Sequence, residues 1–356
     1  MHKYFLIAFI LLSALGLMAQ EQATDTVRTE TEPEKRIDFS VVPFVNYNRN
    51  LEFMFGAVPM MMYRIDPEDK ISPKSLTGVN VFYSTNSSYM VGLFNTFHFK
   101  EGKWRGNLFL LRGNINSQFY MEGLDPGFVD YGTKSTFLSV GIKRRISPGL
   151  YAGVGYTHAN HVTDYDDENL EQSTTRTNGI QLNLQRDSRN AVYYPTTGQL
   201  IDVKWNTFPK WIDNEEKANK ITAAYNQYFP ARGNKDVVAT RLSGKFGLGN
   251  IAFEQQVTVG NKDIRGYSEG KYRGDGLMAF QGEYRYNFGE KVGMVGFAGV
   301  ATIYGSDTES FNWNLLPGAG VGIRYRAFKT VKFNVGLDAA VGKDDWSIAF
   351  RIGEAF

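Results

Sequence analysis

Side chains able to do chemistry are sparse in this chain, and the densest group is His158-Ala159-Asn160-His161 followed by Asp164, Asp166, Asp167 and Glu168. Imidazoles with carboxylates close by are the donor set of a transition-metal site, and a run of acids is the raw material of a calcium loop. The spacing speaks against both. In an extended segment His158 and His161 point to opposite faces, and the acidic run lacks the glycine and regular oxygen spacing of a calcium loop, so a solvated loop is expected. A lipase-like Ser-His-Asn arrangement needs a strand-borne histidine beside a serine; His98 and His158 are the available histidines, and no serine stands in a supporting motif. The chain has no cysteine, which excludes thiolate nucleophiles, thiolate metal sites, disulfides and an N-terminal lipoprotein anchor. No catalytic residue, metal or cofactor is therefore assigned, and the protein is not expected to be an enzyme. What remains is electrostatic: the tetrapeptide Ile264-Arg265-Gly266-Tyr267 within the glycine-rich stretch Gly260–Gly276, a long loop that also carries Arg273.

The elements around that loop must position it. In the segment after it, Met278, Phe280, Tyr284, Tyr286 and Phe288 share one face, and Gln281, Glu283, Arg285 and Asn287 the other. A strand with aromatics on one side and charges on the other separates lipid from water, as in a transmembrane β-barrel. The same alternation recurs. Ile180, Leu182 and Leu184 oppose Gln181, Asn183 and Gln185; Val321, Ile323 and Tyr325 oppose Arg324 and Arg326; Val331, Phe333, Val335 and Leu337 oppose Lys332, Asn334 and Asp338. From Asp38 onward about sixteen such segments can be placed, the even count typical of single-chain bacterial barrels. Turns after even-numbered strands are mostly short, as at Ser147-Pro148-Gly149, and those after odd-numbered strands often longer, as around Met121–Gly132 and Asp164–Thr175. With the N-terminus in the periplasm, the long ones are extracellular loops. The last strand, Trp346–Phe356, places Trp346, Ile348, Phe350 and Ile352 towards lipid and stops on Phe356.

The ends of the chain and its composition set the frame. Met1–Ala19 reads as a secretory signal peptide, with His2 and Lys3, the apolar run Tyr4–Leu12 and a small-residue cleavage site. Gln20–Arg36 is Glu- and Thr-rich and is expected to be disordered. The expected layout is a signal peptide over 1–19, a periplasmic tail over 20–37 and an all-β transmembrane barrel over 38–356. A net charge of +2 argues against a nucleic-acid partner.

The loop motif, Glu283-Tyr284-Arg285 on the strand after it and the terminal phenylalanine together resemble the BamA/TamA surface-antigen superfamily. Asp187-Ser188-Arg189 with Pro195-Thr196-Thr197-Gly198, Gly320-Val321-Gly322-Ile323-Arg324-Tyr325 and Leu337-Asp338 are similar to further motifs of that family, in the same order. The resemblance implies that the loop before the twelfth strand folds back into the lumen and that its arginine packs against acids on the wall. One departure is clear: Phe297-Ala298-Gly299 puts glycine where the family carries an acid, which leaves Glu283 and Asp338, expected on neighbouring strands, as partners for Arg265. The resemblance also implies a seam between the first and last strands, a role for the C-terminal aromatic as an assembly signal, and a function in inserting or translocating outer-membrane proteins. Family relatives carry POTRA domains before the barrel, and 20–37 is too short for one, so a POTRA-less subtype is expected. Its partners would be membrane lipid and either unfolded outer-membrane proteins or a separate periplasmic protein. The alternative is a plugged or narrow channel, or a scaffold subunit, with Arg324, Arg326, Lys332 and Arg351 lining a weakly anion-preferring lumen.

Overall fold

The structure, a computed structural model, describes residues 37–48, 51–121, 127–167, 170–251, 255–260, 262–267 and 271–356. The expected signal peptide and nearly all of the expected tail lie outside the described residues. Sixteen strands form one closed antiparallel barrel: β1 Ile37–Asn48, β2 Glu52–Tyr63, β3 Ser75–Ser84, β4 Tyr89–Phe99, β5 Trp104–Met121, β6 Gly127–Ser147, β7 Leu150–Tyr165, β8 Ser173–Asp187, β9 Gly198–Phe208, β10 Ala218–Ala231, β11 Asp236–Gly249, β12 Gly276–Asn287, β13 Val292–Tyr304, β14 Leu316–Arg326, β15 Asn334–Gly342 and β16 Asp345–Ile352. Each pairs with its sequence neighbour, and β16 returns to β1. No described helix is long and apolar enough to cross a membrane; the chain crosses with strands.

Alternation sets the two faces. On β14 Val321, Ile323 and Tyr325 are exposed on the outside while Arg324 is buried inside; on β8 Leu182 and Leu184 face out and Asn183 and Gln185 face in. The inner wall is not uniform. On β1–β3 many inward positions are apolar, and Phe44, Met54, Val58, Met60, Met62, Leu76 and Phe82 form one buried cluster. Each such side chain removed from water contributes about 1.5–3 kcal/mol, so this part of the lumen is packed like a core. The inner faces of β12–β16 carry charge instead.

Turn lengths depart from the expected alternation. Residues 64–74, between β2 and β3, form a long turn at the rim where short ones were expected. Arg64 donates to the carbonyls of Asp69 (2.9 Å) and Ser72 (2.7 Å), and Asp69 accepts from the Ser72 and Glu101 N–H groups (2.9 and 2.8 Å), so the turn is built on its own side chains. Within the span Met121–Gly132 the described residues are strand. β5 and β6 stay in register as far as Met121 opposite Gly127, because Phe128, Val129 and Tyr131 suit a strand and Gln118 bonds Asp130 across it (2.7 Å).

Closure is uneven. Among the described residues β1 and β16 share a single paired position, Tyr47 opposite Ile348, whereas the other neighbours run in register along most of their length.

Candidate functional site: lumen loop and seam

Residues 250–275 connect β11 to β12. Part of this loop is a small hairpin in which Val257–Thr258 pairs with Arg273–Gly274. Its inner limb carries Ile264-Arg265-Gly266-Tyr267, all four buried against the wall. The seat is made of glycines. A Cβ on Gly299 would lie 2.5 Å from the Phe280 carbonyl and 2.9 Å from Ile264 Cδ1, and one on Gly318 would lie 2.3 Å from the Arg265 carbonyl. Gly299, read from the sequence as a missing acid, is the space that Ile264 occupies. Tyr267 Oη donates to the Pro317 carbonyl (2.6 Å) and accepts from the Lys343 N–H (3.0 Å), fixing the far end of the motif.

Arg265 reaches both acids named from the sequence. Nη2 lies 2.9 Å from Glu283 Oε2 and Nη1 lies 3.0 Å from Asp338 Oδ2, and its guanidinium stands 3.4 Å from the Phe297 ring centroid. The acids are not on neighbouring strands. Glu283 is on β12 and Asp338 on β15, and they converge on one guanidinium because β13 and β14 present Phe297 and glycines between them, leaving room for Arg265 to lie across. Sequence reading missed the rest of the cluster. Arg285 bridges Glu283 (2.7 Å), Arg324 and Arg351 both bridge Asp338, and Arg324 also meets Glu354 (3.1 Å). Arg285 and Arg324 could have been found from their inward parity with Glu283 and Asp338. Glu354 could not, since it lies beyond the last strand.

That placement follows from Gly353, whose φ of 80° turns the chain out of the wall. Phe356, expected as the end of the last strand, lies beyond it and packs inside the rim with Tyr194, Tyr228, Val237 and Ala239, and its carbonyl accepts from Arg285 (2.6 Å). Of the outward residues of that strand, Trp346 stacks on Tyr47 (4.6 Å between centroids), while Phe350 stacks on Phe44 (4.9 Å) and, with Ile352, packs on the apolar cluster behind β1 and β2. Phe350 and Ile352 thus fill the seam as well as face lipid.

Of the three described histidines, two make ring hydrogen bonds and His98 makes none. His158 bonds Asn178 on the outer face and His161 bonds Ser135 on the inner one (both 2.8 Å), and His98 is buried on the lumen side. The cations assigned from the sequence to an anion passage are also committed elsewhere. Arg324 and Arg351 belong to the charge cluster, Arg326 donates to the carbonyls of Phe328 and Lys329, and Lys332 lies over the Tyr194 ring.

A closed transmembrane barrel that holds its own arginine-bearing loop on lumen acids and, among the described residues, closes through one paired position is a narrowly defined class. Residues 77–356 match the Omp85 superfamily domain, and the chain belongs to that superfamily. In structure it is similar to BamA from Haemophilus ducreyi lacking POTRA domains 1–3 (12% identity, TM-score 0.57, covering 88% of this chain and 69% of that one). It is likewise similar to CdiB from Acinetobacter baumannii (13%, 0.60, 89% and 59%) and CdiB from Escherichia coli (10%, 0.59, 94% and 65%). At these identities the likeness is one of fold, and the chain spans less than two thirds of either CdiB. No curated protein matches it in sequence.

Proposed function

We propose that this protein works in the bacterial outer membrane as an assembly factor that assists insertion or translocation of outer-membrane proteins. Its surroundings are lipid, and its partner is an unfolded barrel protein or a separate periplasmic protein that delivers one. The observation that carries this reading is the β1–β16 seam, where two edge strands lie side by side with one paired position between them among the described residues. An edge short of hydrogen-bond partners offers its N–H and C=O groups to an incoming strand, as in β-augmentation. In this reading Arg265 is an anchor: it holds the loop inside the lumen and keeps the β12–β15 wall rigid while the seam yields. The C-terminal strand, through Trp346, Ile348, Phe350 and Ile352, supplies the movable side, and Phe356 ties its end to the inner rim.

The test is the folding rate of an unfolded outer-membrane barrel in liposomes with and without this protein. Acceleration is expected, and reduced acceleration with Arg265→Ala. No acceleration by a correctly folded preparation would sink the proposal.

A second reading, a narrow channel or scaffold, is favoured by one observation. Lys143, Lys204, Lys220, Arg241 and Lys245 point inward on β6 and β9–β11, with Asp202 beside Lys204 (3.7 Å) and Asp263 beside Lys245 as nearby carboxylates. A conducting lumen with that wall would prefer anions. Its reversal potential in a salt gradient would show it.

A further inference from the structure

The direction of the β1 backbone at the seam can be read from β2. There the Phe53 carbonyl accepts from the Thr85 N–H (2.9 Å) and the Phe53 N–H donates to Thr85 Oγ1 (3.2 Å), so the polar groups of Phe53 point away from β1. Phe53 faces Tyr47, Ala57 faces Pro43 and Pro59 faces Val41. In an antiparallel pair these positions are of one kind, so the polar groups of Tyr47, Val45, Pro43 and Val41 point to the seam. The β2–β3 ladder agrees: its register lapses at Val58 and Pro59, where a nitrogen aimed at β3 carries no hydrogen. On the other side, the Gly353 N–H donates to the Asn334 carbonyl (2.8 Å), so odd-numbered residues of β16 serve β15. Ile348, Phe350 and Ile352 serve the seam.

Extending the register from Tyr47 opposite Ile348 brings Val45 opposite Phe350 and Pro43 opposite Ile352. Neither pair forms. The Phe350 N–H is taken by the side-chain oxygen of Asn46 instead of the Val45 carbonyl. Pro43 has no hydrogen to give Ile352, and its ring stands where that carbonyl would approach. One position further Gly353 turns β16 inward. Below this point β1 is held by side chains, with Asp38 accepting from the Thr330 N–H (3.2 Å) and Oγ1 (2.8 Å).

We propose that Pro43 and Asn46 are positioning residues that keep the seam unzipped below Tyr47, so that the edge of β1 from Ile37 to Val45 stays free for an incoming strand. The clause about the incoming strand rests on the assembly role proposed above; the unzipping does not. The test is amide hydrogen exchange of the full chain in liposomes, with no substrate present. In the double variant Pro43→Val, Asn46→Val, exchange at Phe350 and Ile352 should slow about tenfold, the effect of gaining one or two net hydrogen bonds. Exchange along β7 and β8 should stay unchanged, which also reports that the barrel has folded. Asn46→Asp keeps the acceptor and should behave like the unaltered protein, and Pro43→Val alone should slow Ile352. A substitution that merely loosened the wall would speed exchange. Unchanged or faster exchange at both amides in the double variant, with β7 and β8 intact, overturns the proposal. Slowed exchange without loss of folding assistance would leave it standing and count against the assembly role.

Discussion

Arg265 is shared between Glu283 and Asp338, but the two acids do not depend on it equally. Removing a buried partner costs about 3–5 kcal/mol when the group left behind stays unpaired. In Arg265→Ala neither carboxylate is stranded, since Glu283 keeps Arg285 and Asp338 keeps Arg324 and Arg351. The expected loss is therefore at the low end, about 3 kcal/mol, and falls on the docking of the loop. Asp338→Asn is the harsher change, because Arg265, Arg324 and Arg351 all lose their shared anion. Its expected cost approaches about 5 kcal/mol, and urea denaturation of the two variants in detergent checks the order. Restoring an acid by Gly299→Asp should not strengthen the cluster: its Cβ would meet the Phe280 carbonyl and Ile264, so the loop should lift and become open to protease. Continued protection of the loop in that variant would show that the seat is not the glycine surface described above.

Elements, more than single residues, were legible in the sequence. The sixteen barrel strands stand out as alternating runs because a wall between lipid and lumen imposes a period of two on each strand. Alternation gives a residue its face but not its height on the wall or the strand beside it. Hence Glu283 and Asp338 were legible as inward acids while their separation by two strands was not. The last strand was read as running on to Phe356 but ends at Ile352 for a related reason: the turn depends on the φ of Gly353, and a glycine has no side chain to mark the pattern. The long turn over residues 64–74 was unexpected because its stability is local polar bonding, which leaves no periodic trace. That turn has a pH signature. Burial pushes the Asp69 carboxyl up, but hydrogen bonds from the Ser72 side chain and from the N–H groups of Ser72, Glu101 and Ile71 outweigh it and hold its pKa down to about 2, against an ordinary 3.8. A carboxylate depressed in the folded state stabilises above its ordinary pKa and stops doing so as pH falls through the depressed value. The turn should stay ordered on acidification to about pH 4 and loosen as pH approaches 2, which exchange or limited proteolysis of 64–74 would follow. Asp69→Asn should loosen it at neutral pH.

On the scale of the whole molecule the barrel is asymmetric. β12–β16 carry the loop and the buried ionic cluster, β1–β3 an apolar cluster on their inner side, and the two regions meet at the weakest junction in the wall, where Tyr47 and Ile348 supply the one paired position among the described residues. A barrel needs closure to remove its edges, and this one closes largely through stacked rings, with Phe44 on Phe350 and Tyr47 on Trp346, together with side-chain latches. Stacked rings can part without breaking a ladder. The most direct test of the account is a reversible lock. The chain has no cysteine, so Val45→Cys with Phe350→Cys introduces a single pair at positions the extended register sets opposite one another. The folding rate of an unfolded outer-membrane barrel in liposomes should fall to the unassisted rate when this disulfide is formed and recover on reduction. Equal assistance from the locked and reduced forms would contradict a seam-based mechanism.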